Sequence, residues 1–168
     1  DLFDNALKNE AFRAAIEELV DFGIYRYHRD YSKPYVGTQF NLYKKYTYSE
    51  VCWLLGWKKE EVSLNIGGYK FDSYSKTYPI FINYVKDEDI AATTRYEDRF
   101  TDPSSLTAIS KSRRTIESDD VQNAIHSQER GILMPLFVRK NKDDQSSKEF
   151  YFLGTMRHNG HLHQFIRS

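Results

Sequence analysis

The chain has 168 residues, with 24 basic and 24 acidic side chains and a formal net charge of zero at pH 7. Its 40% hydrophobic and 29% charged residues exclude wholesale disorder, and no apolar run approaches the roughly 20 residues that span a bilayer. The single Cys52 excludes an internal disulfide and a thiolate-cage zinc site, which favours a reducing compartment. Together with the lack of a long apolar run, this predicts a cytoplasmic protein without a membrane partner.

The first predicted element is an amphipathic helix over residues 5–21. Apolar residues recur there at helical spacing, with Asp4 or Asn5 as the expected N-cap and Gly23 just past the end. Residues 24–36 are rich in tyrosine and charge and contain Pro34, which favours a linker or an edge segment. Residues 1–36 are therefore predicted to form a helical connector.

A second helix is predicted where Thr47 and Glu50 form a Thr-x-x-Glu capping box, with Gly56 as the stop. Gly67-Gly68 indicates a tight turn or a close backbone approach. The strongest strand pattern follows at residues 78–85, which are rich in Ile, Phe, Tyr and Val.

The second half of the chain alternates strand and helix signals. A turn is predicted at residues 102–105, a strand at 106–110, a helix start at 118–123 and strands at 131–140, 150–153 and, more weakly, 161–167. Pro135 implies that its strand is an edge strand or carries a bulge. Residues 37–168 are thus predicted to be an α+β domain with a twisted, barrel-like sheet flanked by short helices.

Motifs of stand-alone catalysis are missing from the sequence. There is no Gly-x-Ser-x-Gly elbow and no phosphate loop after Gly67-Gly68, and Cys52 lies on an apolar helix face. His158, His161 and His163 make a metal site conceivable, but surface histidines or phosphate contacts are favoured. We expect this domain alone to be no enzyme and to need no metal or cofactor, and a small hydrolase or metal-dependent nuclease is the weakest alternative.

A basic, hydroxyl-bearing segment at residues 110–115 is a candidate for binding DNA phosphates. It alternates Ser with cationic residues, which supplies donors for successive phosphate oxygens. An exposed polar loop without a ligand is the alternative. The predicted phosphate-binding residues, including possible extensions of the same footprint, are Lys44, Lys45, Lys111, Ser112, Arg113, Arg114 and Arg157.

Tyrosines and a carboxylate form a second candidate set. A protein that reads one base must lift it from the stack, hold it between flat side chains and accept a hydrogen bond from the exocyclic amine of cytosine. Tyr69, Tyr84, Tyr96 and Asp98 have this chemistry. The alternative is that the tyrosines are core residues and that Asp98 caps a helix or pairs with a neighbouring arginine.

Seven short blocks in a fixed order add a resemblance to a known family. They are Gly37-Thr38-Gln39-Phe40, Tyr46-Thr47-Tyr48-Ser49-Glu50-Val51, Ile66-Gly67-Gly68-Tyr69-Lys70, Pro79-Ile80-Phe81-Ile82-Asn83-Tyr84-Val85-Lys86, Tyr96-Glu97-Asp98-Arg99-Phe100, Ser110-Lys111-Ser112-Arg113-Arg114 and Leu136-Phe137-Val138-Arg139-Lys140. Together the ordered set resembles the C-terminal domain of type IV restriction enzymes of the SauUSI kind. In that architecture a phospholipase-D-type nuclease and a helicase precede a domain that reads modified cytosine.

The resemblance implies an SRA-like or PUA-like fold that flips 5-methylcytosine or 5-hydroxymethylcytosine into a concave pocket. The pocket residues inferred from side-chain chemistry are Asn65, Tyr69, Tyr84, Tyr96, Asp98 and Ser110. One departure is Ala108-Ile109, where the family places an aromatic residue two positions before Ser110.

The partners implied by the resemblance are double-stranded DNA with modified cytosine and the enzyme's own helicase and nuclease domains. ATP and Mg²⁺ would serve only the attached motor. The alternative function is a docking module of the helicase–nuclease that does not touch bases, which the zero net charge favours.

Overall fold

A computed structural model describes residues 1–58, 68–85, 99–102, 105–107, 114–141, 148–159 and 164–167. The chain divides into two compact units, Asp1–Asn41 and Leu42–Ser168.

The first unit contains two helices, α1 (Leu2–Ala6) and α2 (Glu10–Tyr31). Asp1 caps α1 and Asn9 caps α2, whose Phe12 amide donates to the Asn9 side chain at 3.1 Å. The predicted helix therefore exists, but its N-cap is neither Asp4 nor Asn5. The prediction of a linker or edge segment after Gly23 is wrong for the residues up to Tyr31, which continue the helix.

Helix α2 runs through Gly23 because one interior glycine costs only about 1 kcal/mol relative to alanine. The turns beyond it contain favourable charges, with Arg26 and Asp30 paired at 3.7 Å and His28 and Arg29 near the negative end of the helix dipole. The helix ends at Ser32, the C-cap, two residues before Pro34. The residue before a proline is disfavoured in helical conformation, which explains the end point.

The second unit is built on a seven-stranded sheet in the order β2-β5-β6-β7-β4-β3, with β1 paired to β6. The strands are β1 (Lys45–Tyr46), β2 (Ile80–Val85), β3 (Arg99–Asp102), β4 (Ser105–Thr107), β5 (Pro135–Asn141), β6 (Phe150–His158) and β7 (Gln164–Arg167). Strands β2 and β5 are parallel and the other pairs are antiparallel. The sheet curls into a half-barrel with short helices, so the predicted mixed α+β class is confirmed.

Strand β5 is an inner strand, which corrects one of the two interpretations of Pro135. The strand pairs with β2 on one side and β6 on the other. Pro135 is its first residue, a position where the missing amide interrupts the ladder least. An irregularity in the β5–β6 register lies beside it, between Leu136 and Phe137.

Two hydrophobic clusters pack on the sheet. The aliphatic cluster consists of Tyr78, Ile80, Ile82, Leu106, Ala124, Ile132, Met134, Leu136 and Met156. The aromatic cluster consists of Tyr46, Tyr48, Phe81, Phe137, Phe150 and Phe152, whose neighbouring ring centroids lie 4.4–6.3 Å apart. Because Ile80 and Ile82 belong to one cluster and Phe81 to the other, β2 is buried on both faces.

Each cluster contains a residue of a short helix. Helix α3 (Tyr48–Leu54) adds Tyr48 to the aromatic cluster, and its predicted capping box is confirmed: the Thr47 amide donates to Glu50 at 2.8 Å and the Glu50 amide to Thr47 Oγ1 at 3.3 Å. Helix α4 (Asp119–Ile125) adds Ala124 to the aliphatic cluster. Cys52 is buried in α3, as expected for an inert thiol.

A bulge in β6 changes which side chains share a face. Leu136 pairs with Gly154 but Phe137 pairs with Phe152, so β6 carries one extra residue there. Gly154 has φ 118°, a conformation that glycine adopts far more readily than other residues. As a result, Phe152 before the bulge faces the aromatic cluster, whereas Met156, four residues later, faces the aliphatic cluster. In a regular strand these two side chains would lie on the same face.

Among the described helices, none combines the length and the apolar character needed to cross a membrane.

Candidate nucleic-acid interface

Four of the six predicted base-pocket residues, Asn65, Tyr96, Asp98 and Ser110, lie outside the described residues, as do Lys111, Ser112 and Arg113 of the phosphate set. The described part of the chain contains Tyr69, and the backbone of Tyr84 on β2. It also contains four predicted phosphate-binding residues, Lys44, Lys45, Arg114 and Arg157.

Tyr69 is held beside β2 by the backbone around it. It forms an antiparallel bridge with Ile80, and the preceding Gly68 has φ 91° and accepts a hydrogen bond from the Phe81 amide at 2.6 Å. This is the close backbone approach that the glycine pair predicts. The Tyr69 ring is half-buried, packs against the aliphatic cluster and stacks on the Tyr78 ring, with centroids 5.4 Å apart and planes at 26°.

Tyr78 connects this stack to helix α4. Only 3% of the residue is exposed, and its hydroxyl donates to the backbone oxygen of Asp120 at 3.2 Å. Burial, together with the nearby Tyr69 and Asp120, raises the pKa of the Tyr78 phenol, while Arg114 acts in the opposite direction. The phenol is therefore a neutral hydrogen-bond donor at physiological pH.

Asp120 in turn holds Arg114. The Arg114 Nε lies 2.9 Å from Asp120 Oδ2, and the Arg114 side chain is 46% exposed. The other carboxylate oxygen of Asp120 accepts from the Val121 amide at 3.2 Å in the first turn of α4. Tyr69, Tyr78, Asp120 and Arg114 thus form a continuous row of contacts, called here the tyrosine–arginine row.

The row joins one residue from each predicted set, Tyr69 from the base set and Arg114 from the phosphate set. Sequence reasoning missed Tyr78 and Asp120 as its connecting members. Tyr78 and Asp120 are 42 positions apart, and each had an ordinary local role, at the start of a strand pattern and in the acidic first turn of a helix. No signal in the spacing could have linked them.

Lys44 and Lys45 lie at the start of the sheet unit, next to tyrosine rings. Lys45 pairs across β1–β6 with Tyr151, and its Nζ lies 5.0 Å from the Tyr151 ring centroid. Lys44 Nζ lies 6.0 Å from the centroid of the buried Tyr46 ring. Both distances suit cation–π contacts.

Arg157 is exposed on β6, but the sheet does not place it on the face of Lys45. Tyr151 pairs with Val138, which packs against the aliphatic cluster, so Lys45, Tyr151 and that cluster share a face. Beyond the Gly154 bulge, Met156 occupies this face, and its neighbour Arg157 therefore points to the other one. The predicted footprint consequently does not bring Lys45 and Arg157 together.

The side chain before Tyr84 has a structural partner on the neighbouring strand. Arg139 Nε donates to Asn83 Oδ1 at 2.6 Å, and the Arg139 guanidinium carbon lies 4.4 Å from the centroid of the Phe150 ring. This pair spans β2 and β5 beside the aromatic cluster. The half-buried guanidinium of Arg139 thus has a hydrogen-bond acceptor and an aromatic partner within the sheet.

The fold and these contacts define a mixed α+β domain with a curled sheet and a row of aromatic and charged side chains. Residues 40–166 match the model of a family described as a domain of unknown function (DUF3427), and the chain belongs to this family. The matched range includes every predicted site residue. No curated protein matches the chain.

Proposed function

We propose that this domain recognises modified cytosine in DNA by base flipping and directs an attached ATP-dependent type IV restriction endonuclease to it. The observation that supports the proposal is the tyrosine–arginine row. It joins a tyrosine suited to base stacking to an arginine suited to phosphate binding, through contacts of 5.4, 3.2 and 2.9 Å. The curled sheet with short helices is compatible with the SRA-like or PUA-like barrel that the resemblance implies.

The two ends of the row suit two different parts of one nucleotide. A flipped base needs a flat ring beside it, and the Tyr69 ring has a fixed orientation because it stacks on the buried Tyr78. A half-exposed arginine can bind a phosphate of the same strand with charge-assisted hydrogen bonds. Asp98 or Asn65 would accept from the cytosine amino group.

Asp120 has two opposing effects on such a site. It orients Arg114, but as an anion next to the phosphate position it also competes with DNA for the guanidinium. The pair lies partly in solvent, so its own contribution to stability is small, below about 1 kcal/mol. DNA binding would replace the carboxylate partly or wholly by a phosphate.

Discrimination between modified and unmodified cytosine should be modest. One methyl group buried in an apolar niche contributes about 1 kcal/mol, or roughly fivefold in affinity. Most of the binding free energy would come from phosphate contacts and would fall with salt.

The deciding experiment compares one duplex oligonucleotide that carries cytosine, 5-methylcytosine or 5-hydroxymethylcytosine at a single position. We expect tighter binding to a modified form, a loss of that preference in Asp98→Ala, and a uniform loss of affinity in Arg113→Ala and Arg114→Ala. Equal affinity of the unaltered protein for all three duplexes would overturn the proposal.

A matched variant tests the row itself. Asp120→Asn removes the competing negative charge but keeps an oxygen for the Val121 amide and leaves the backbone acceptor of Tyr78 in place. We expect Asp120→Asn to raise the affinity for all duplexes severalfold, whereas Arg114→Ala lowers it. If neither variant changes DNA affinity, the row is not part of the interface.

The second candidate function is a docking module of the helicase–nuclease. Helix α2 favours it, because Leu19, Val20, Phe22 and Ile24 are all at least half exposed on this helix. A module that only docks would bind neither methylated nor unmethylated duplex. The same binding experiment therefore separates the two candidates.

A further inference from the structure

Helix α2 is 22 residues long, and in the described part of the chain none of its residues is buried. In proteins most helical stability comes from the packing of an apolar face rather than from propensity. At the start of α2, the ring of Phe12 meets the ring of Phe3 from α1 edge to face, with centroids 6.2 Å apart. The remainder of the helix therefore calls for a partner surface.

An apolar stripe runs along one side of α2. Its members recur at spacings of i, i+4, i+7, i+8, i+12 and i+15, which lie on one face of a helix. They are Phe12, Ile16, Leu19, Val20, Ile24 and Tyr27, called here the α2 stripe. The middle of the stripe is its most open part, because Leu19, Val20 and Ile24 are 64%, 54% and 51% exposed. A contiguous apolar surface of this kind is typical of an interaction site.

The charge of α2 changes sign along the helix. Residues 10–21 are mainly acidic, with Glu10, Glu17, Glu18 and Asp21 against Arg13. Residues 22–31 are mainly basic, with Arg26 and Arg29 against Asp30. The helix dipole favours acidic residues only in the first turn, which contains Glu10, so it does not account for the three later ones. A partner surface that complements α2 would be basic beside the first half and acidic beside the second.

We infer that the α2 stripe binds the α2 stripe of a second copy of this chain, with the two helices antiparallel. An antiparallel copy places its basic half beside the acidic half of the first helix and its acidic half beside the basic one, whereas a parallel copy would set like charges side by side. Such a pair has twofold symmetry, so one contact covers both stripes and opposes the two helix dipoles. The inference goes beyond the proposed function and does not depend on it.

Sedimentation equilibrium of the full chain tests the self-association, at concentrations from about 1 to 100 μM, where dimers of micromolar affinity dissociate. We expect a reversible dimer that weakens as salt is raised, because salt screens the attraction between opposite charges. Ile24→Gln should weaken the dimer at least about tenfold, since it removes a covered aliphatic side chain from both copies. A chain that stays monomeric over this range, or a dimer that tightens with salt, would overturn the inference.

Phe22 provides a matched control on the same helix. It is 58% exposed, close to the value for Ile24, but two helical positions separate the residues, which puts them about 200° apart around the helix axis. Phe22→Gln should therefore leave the dimer as strong as in the unaltered chain. Glutamine has at least the helix propensity of isoleucine and phenylalanine, so neither change should unfold α2. An equal loss of association in the two variants, or no loss in Ile24→Gln, would contradict the placement of the interface on the α2 stripe.

Disulfide trapping tests the antiparallel orientation. Ile16 and Tyr27 lie on the stripe on either side of its middle, and Cys52 is buried, so it does not compete. When chains with Ile16→Cys are mixed with chains that carry Tyr27→Cys, antiparallel helices should form mostly disulfides between the two different variants. An excess of disulfides between identical variants would show parallel helices and overturn the inference.

Failure of the inference can be told apart from failure of the proposed function. Self-association and disulfide trapping are measured without DNA and report on the α2 stripe only. The ratio of affinities for methylated and unmethylated duplex reports on modified-cytosine recognition only, and Ile24→Gln should leave that ratio unchanged.

Discussion

At the scale of single residues, Tyr78 has the most consequential environment in the candidate interface. Its ring supports Tyr69, its hydroxyl donates to the backbone of Asp120, and it lies within the aliphatic cluster. One side chain therefore belongs both to the core and to the tyrosine–arginine row. A change at this position should affect stability and DNA affinity together.

The raised pKa of Tyr78 predicts a loss of stability at alkaline pH. The unfolded phenol ionises near its ordinary pKa of about 10, while the folded one stays protonated to higher pH because its main perturbation is burial. The contribution of Tyr78 to the free energy of unfolding is thus constant below about pH 10. Above that pH it is lost, at up to about 1.4 kcal/mol per pH unit.

Urea unfolding at pH 8 and pH 11 checks this prediction. The drop in unfolding free energy between the two pH values should be smaller in Tyr78→Phe than in the unaltered chain. Tyr48, whose pKa burial also raises, remains in both proteins and so cancels in the comparison. Equal drops in the two proteins would show that Tyr78 ionises no later when folded.

At the scale of elements, the bulge in β6 decides which surfaces the sheet presents. Gly154 lets the strand switch its alternation, so that Leu153 and Met156 both pack toward the aliphatic cluster while Arg157 points away. The bulge also increases local twist, which suits a curled sheet. The separation of Lys45 and Arg157 is a direct result.

Gly154→Ala should destabilise the chain by about 1–3 kcal/mol, because φ 118° is strained for any side chain. The matched control is Gly23→Ala in α2, where a new Cβ would meet open space. That change should stabilise the helix by up to about 1 kcal/mol. Thermal unfolding followed by circular dichroism would measure both changes in Tm. Changes of the same sign in the two variants would contradict the assignment of backbone strain to position 154 and not to position 23.

At the scale of the whole molecule, the balance of charge limits any affinity for DNA. With 24 basic and 24 acidic residues there is no net attraction to a polyanion, so binding depends on where the cations lie. The two units also differ in what they expose: α2 presents apolar side chains, whereas the sheet unit contains the predicted phosphate-binding residues.

The salt dependence of DNA binding tests that distribution. If all six predicted cations contact phosphates, the logarithm of the association constant should fall with the logarithm of salt concentration at a slope of roughly −5. Because Arg157 faces away from Lys45, we expect a shallower slope, and Arg157→Ala should leave it unchanged. A slope that becomes shallower by about 1 in Arg157→Ala would place this residue in the footprint after all.

Local rules predicted the elements whose information lies within a few residues. The Thr47–Glu50 capping box and the apolar strand predicted at 78–85 are of this kind; the box is confirmed, and the strand is observed at Ile80–Val85, two residues shorter. The prediction for residues 24–31 was wrong because a single glycine is a weak signal, which favourable charges in the following turns outweigh. Pro135 was compatible with an inner strand because it occupies the first position.

The candidate site was predicted only in part, because local rules do not reach contacts between residues that are far apart in the chain. Tyr69 and Arg114 were selected for their chemistry, but the contact between Tyr78 and Asp120 that links them joins positions 42 apart in the chain. A six-residue spacing would put Tyr151 and Arg157 on one face of a regular strand, and the bulge reverses this.

By itself the sequence determined the neutral charge, the lone buried thiol, the capped helix α3 and the approximate positions of strands β2, β5 and β6, because propensity, capping and hydrophobic alternation act over short distances. The tertiary structure alone decided that Tyr69 and Arg114 share one row, that β5 is an inner strand and that Arg157 points away from the face of Lys45. Those features depend on pairings between distant strands, which stabilise conformations that no short segment would adopt alone.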